Sequence, residues 1–83
     1  MYPRSFAKIL LASDGEQVLF VVDIDPFSGQ HRVQGVTRGA GDIRHTHGVI
    51  FEDPEVAYQA LEAFDLSNAD MMRTVAASQE GVQ

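Results

Sequence analysis

Cysteine is absent from this chain of 83 residues. That absence excludes a disulfide framework, a thiolate nucleophile and a Cys-based zinc site. Small secreted domains usually carry such staples, so the expected setting is cytoplasmic. Basic charge is also scarce. Six Lys and Arg stand against twelve Asp and Glu, and the net charge of −6 argues against broad electrostatic binding to nucleic acid. No apolar run approaches the length of a membrane span, and residues 1–5 lack the apolar core of a signal peptide. The chain is short as well. One domain of this size buries about 60–65% of its unfolded surface, which leaves room for one sheet, one or two helices and little enclosed space. With 45% hydrophobic and 22% charged residues, the composition is that of a folded protein.

What is present centres on residues 17–25. Val18, Leu19, Phe20, Val21 and Val22 form an unbroken apolar run of β-branched and aromatic types, the signature of a strand buried partly on both faces. Asp14-Gly15 precedes it and residues 6–12 form another apolar run, so a hairpin is expected. With Asp14 and Gly15 as the central pair of a type I′ turn, Ile9 faces Phe20 and Leu10 faces Leu19. Ala7, Ile9, Leu11, Val18, Phe20, Val22 and Ile24 then share the core face. The other face carries Phe6, Leu10, Leu19 and Val21, interrupted by Lys8, Gln17 and Asp23, and needs either a cover or a partner.

Pro26, Gly29 and the loss of periodicity mark a loop at residues 26–30. Residues 32–38 and 43–51 read as a second hairpin joined through residues 39–42. Val33 and Val36 differ in parity, which predicts a bulge near Gly35, and Gly48 is a candidate break in the last strand. Asp53-Pro54 is an N-cap followed by an N1 proline, and Val56, Ala57, Ala60, Leu61 and Phe64 follow at helical spacing. Ser67 and Asp70 stand at capping-box spacing ahead of Met71, Met72, Val75 and Ala76, so a second helix is expected there. A kinked continuation of the first helix is the alternative, and a separate second helix could fold round to cover the second sheet face with Met71, Met72 and Val75. Residues 78–83 read as a frayed tail. The expected fold class is therefore α+β, a single domain over residues 1–83 with an antiparallel sheet of about four strands and one or two C-terminal helices on one face.

His45 and His47 point the same way on a strand, and with His31 or a carboxylate they form a candidate metal set of a metal-dependent site. Two histidines are an incomplete site, and ordinary strand histidines are the alternative. Asp23 and Asp25 fail as a calcium loop, since the glycine comes one place late and no glutamate closes it. Residues 38–41 offer a backbone nest for an anion flanked by Arg38 and Arg44, although Gly39 and Gly41 equally serve a hairpin loop. No nucleophile elbow or phosphate-binding loop is present, and no cofactor is called for.

Charge is unevenly placed. Residues 31–47 hold Arg32, Arg38, Arg44 and all three histidines against the single acid Asp42. The short, cysteine-poor, acidic layout of strands and then helices resembles small phage- or mobile-element-encoded inhibitors of bacterial defence, such as some anti-CRISPR proteins. The resemblance covers the layout alone and transfers no functional residue. It implies an inhibitor that occupies a protein surface. The leading expectation is a non-enzymatic protein-interaction module, an inhibitor or regulator of a protein partner. Its surface would include Phe6, Leu10, Leu19, Val21, Arg32, Arg38 and Arg44, with a homodimer as one arrangement. A nucleic-acid- or phosphate-contacting domain built on the three arginines is second, and the His-x-His metal site third.

Overall fold

Alternating apolar positions draw four segments into strands, β1 (Ala7–Leu11), β2 (Gln17–Ile24), β3 (His31–Arg38) and β4 (Arg44–Phe51). Two helices follow, α1 (Pro54–Ala63) and α2 (Leu66–Glu80). The computed structural model describes residues 6–39 and 43–80. The strands pair antiparallel in the order β1-β2-β3-β4, and both helices lie on one side of the sheet.

The first hairpin corrects the expected register by one residue. Ile9 faces Leu19, Lys8 faces Phe20 and Leu10 faces Val18. Gly15 N–H donates to Ala12 O at 3.0 Å and Ala12 N–H to Glu16 O at 2.9 Å, so Ser13, Asp14 and Gly15 form a three-residue loop. Gly15 ends that loop at φ +88°, the left-handed conformation that glycine adopts without strain. A shift of one residue sends every β1 side chain to the other face. Ala7, Ile9 and Leu11 therefore lie away from the helices. Lys8 and Leu10 face them, as does Phe6, whose carbonyl accepts from Val22 N–H.

Contacts from the helices account for the longer loop. Asp70 of α2 accepts from Ser13 N–H at 2.8 Å and from its hydroxyl at 2.7 Å, while Arg73 Nε donates to Asp14 at 2.8 Å. Arg73 also donates to the Thr37 hydroxyl and the Arg38 carbonyl, tying the loop to the end of β3. Lys8 Nζ reaches the carbonyls of Glu62 at 2.9 Å and Phe64 at 2.5 Å. It thus caps the C-terminus of α1, which has no basic residue in its own last turn.

The core joins Val18, Phe20 and Val22 of β2 and Val33 of β3 to Ala57 and Leu61 of α1 and to Ala69 and Met72 of α2. Phe64 stands over Phe20 with ring centroids 4.5 Å apart. Asp53 caps α1 through Glu55 N–H as expected. The cap of α2 lies two residues earlier than expected: Asp65 accepts from Ser67 N–H, and its own N–H donates to the Asn68 side chain. Asp70 is thereby free of capping and holds Ser13 instead. The helix continues to Glu80, so residues 78–80 are helical, and the rest of the expected tail lies outside the described residues.

No bulge interrupts β3, and Gly48 does not break β4. Val33 faces the helices and Val36 the opposite side, which is why their parities differ. Gly35 serves packing instead. A Cβ built there would meet Met72 Sδ at 2.9 Å, closer than real side chains approach, so its hydrogen is what admits Met72 to the sheet.

Candidate functional site

Because α1 and α2 share one side, the opposite face of the sheet has no cover among the described residues. Register assigns it Ile9 and Leu11 from β1, Leu19 and Val21 from β2, Val36 from β3 and Thr46 and Ile50 from β4. Ile9 and Leu11 are 64% and 63% exposed, large values for apolar strand residues. With Leu19 and Val36 they floor a shallow, open depression of about 850 Å³, rimmed by Glu16, Arg38 and Arg44.

Of the apolar residues expected on this surface, Leu19 and Val21 are there, whereas Leu10 and Phe6 lie on the helix side. Ile9 and Leu11 take their places. The signal that reveals them is Ser13, since Ser-Asp-Gly fits a three-residue loop as well as Asp-Gly fits a two-residue one.

The three arginines do not gather. Arg38 faces Arg44 at one end of the β3–β4 pair, while Arg32 lies six residues away along β3, about 20 Å of extended chain. Arg32 is held by its own network. Its Nε and Nη2 each donate to Asp23 at 2.9 Å, and Nη1 contacts Asp25 at 3.3 Å. Gln34 adds a donor to Asp23 at 2.8 Å. The Arg32 guanidinium holds the Asp23 carboxyl below the usual carboxylate range, against the opposing effect of burial, and Asp23 in turn raises Arg32. Asp25 is lowered chiefly by the Ser28 hydroxyl, which donates at 2.7 Å within the β2–β3 turn. These carboxylates serve a turn and an ion pair, consistent with their failure as a calcium loop.

Arg38 bridges to Glu16 at 3.1 Å. Of the expected anion nest, residues 40 and 41 lie outside the described residues. His45 and His47 do share the helix side of β4, opposite Thr37 and Gly35. His31 is at the other end of β3, opposite Phe51 and 6.0 Å from the Tyr58 ring. Among the described residues no group of three or more His, Asp or Glu side chains converges as a metal set would. No helix among them is long and apolar enough to cross a membrane.

The chain matches no known family model, no curated protein and no solved structure, which leaves the open sheet face as the ground for a functional reading.

Proposed function

We propose that this protein is a non-enzymatic interaction module, an inhibitor or regulator that occupies a partner protein through the open face of its sheet. The observation that carries this reading is the exposed apolar floor of Ile9, Leu11 and Leu19 beside Val36, which no helix among the described residues covers. Burying such a floor supplies the hydrophobic centre of an interface, and Glu16, Arg38 and Arg44 supply a polar rim that sets orientation. Among the described residues no enclosed catalytic constellation is seen, and the open apolar face fits a role exerted by steric occupation. The resemblance of the layout to small phage- or mobile-element-encoded inhibitors favours a target in bacterial defence.

Affinity capture from native extract tests this reading. The parent chain is expected to retain a protein that an Ile9→Asp/Leu19→Asp variant releases, with both giving the same circular dichroism spectrum. Equal capture by the two would remove the open face from the function. The scattered arginines predict only weak binding to duplex DNA near physiological salt, because Arg32 and Arg38 already pair with acids of the same chain.

A further inference from the structure

The outer strand β4 has a second property that the open face does not share. Natural sheet edges are blunted by lysine, proline, bulges or short length. β1, one edge, is five residues long, but β4 runs eight residues without lysine, proline or a bulge, and its one formal charge is Arg44 at the start. Both its faces are open: Val49, toward the helices, is 49% exposed and Ile50, away from them, 47%. On the helix side an apolar groove of about 280 Å³ runs between β4 and α2, from Val49 and Phe51 to Met71 and Val75.

We propose that β4 is a pairing edge and that a second copy of this chain is its occupant, the two strands joining antiparallel across a two-fold axis at Gly48. Such an axis stands perpendicular to the sheet, so helix-side residues meet helix-side residues and the register sum must be even. Centring on Gly48 sets Val49 against His47, Ile50 against Thr46 and Phe51 against His45 of the second copy. It also sets Arg44 against Glu52, the acid that directly follows β4, and does so twice by symmetry. Sliding the pair by two residues either way separates those charges, so this register is the one with electrostatic complementarity. Main-chain hydrogen bonds then satisfy the outer edge of β4, and the uncovered groove is lengthened across the junction. The pairing leaves the apolar floor of each copy's open face accessible and shares only Arg44 with its rim, so Ile9→Asp, which alters the floor alone, separates it from the function proposed above.

Sedimentation equilibrium on the purified full chain tests the proposal. The parent is expected at twice the single-chain mass. Arg44→Glu and Glu52→Arg should each raise the dissociation constant roughly tenfold, and the double reversal should return it toward the parent value. Val49→Lys should give a monomer; the reversal pair keeps the test decisive if that variant does not fold. Amides of β4 should exchange more slowly with solvent as protein concentration rises, and Ile9→Asp should leave the mass unchanged. A parent that stays monomeric at millimolar concentration overturns the proposal. So does a dimer indifferent to both charge reversals, or one that Ile9→Asp dissociates.

Discussion

At the scale of single residues, the charged side chains are used mainly for joining elements. Arg73 holds the β1–β2 loop, Lys8 closes α1, and Arg32 clamps Asp23 beside the β2–β3 turn. Asp14, Asp23 and Asp25 are all lowered from the ordinary carboxylate value, by Arg73, Arg32 and Ser28 respectively. A lowered folded pKa means that the unfolded chain binds more protons in acid. The stability these groups contribute is therefore complete above about pH 4, the unfolded value, and is lost as pH falls through the lower folded values. Thermal melts between pH 7 and pH 2 should show a plateau followed by a decline beginning near that value. Asp23→Asn should melt lower at neutral pH and decline less steeply in acid. An identical acid slope in the variant would mean that Arg32 does not hold Asp23 in solution.

At the scale of elements, the informative contact is α2 against β3. A glycine inside a strand ordinarily weakens it, so Gly35→Ala at an unconstrained site would be neutral or stabilising. Here the new methyl group would meet the flexible end of the Met72 side chain, which must shift, and the expected cost is about 1 kcal/mol, the low end for overpacking. Met72→Ala should relieve part of that cost, giving a coupling of at least about 0.5 kcal/mol in a double-mutant cycle of urea denaturation. Additive losses would place Met72 away from β3. The same contact explains why the sequence suggested a bulge. The alternation of valines broke at Gly35 for reasons of packing between layers, which strand periodicity does not report.

At the scale of the whole molecule, one small core supports a sheet with one covered and one open face. Phe20 sits at its centre, buried and in ring contact with Phe64. Phe20→Ala should cost about 3–5 kcal/mol, a large part of the roughly 5–15 kcal/mol that domains possess. At about 4–8 °C per kcal/mol, the melting temperature should fall by more than 10 °C. A shift of only a few degrees would be inconsistent with the described core. Ile9→Ala makes the contrast, since a residue 64% exposed should shift it little in the monomer.

Sequence alone determined the α+β order, the buried β2 strand, the capped start of α1 and the apolar stripe that α1 lays on Phe20. Each of these rests on local chemistry: β-branched runs, an Asp-Pro cap, helical spacing. It also placed Leu19 and Val21 on the second face, because the parity of β2 is set by its own pattern. The face of β1 was decided elsewhere. Ala7, Ile9 and Leu11 alternate with Lys8 and Leu10, and both sets suit burial well enough that either register was open. Asp70 and Arg73, more than fifty residues away, chose between them by binding Ser13 and Asp14, and the α1 carbonyls fixed Lys8 on the helix side. Side-chain alternation has a period of two, so a one-residue choice made by distant hydrogen bonds moved Ile9 and Leu11 onto the open surface and Leu10 beneath the helices.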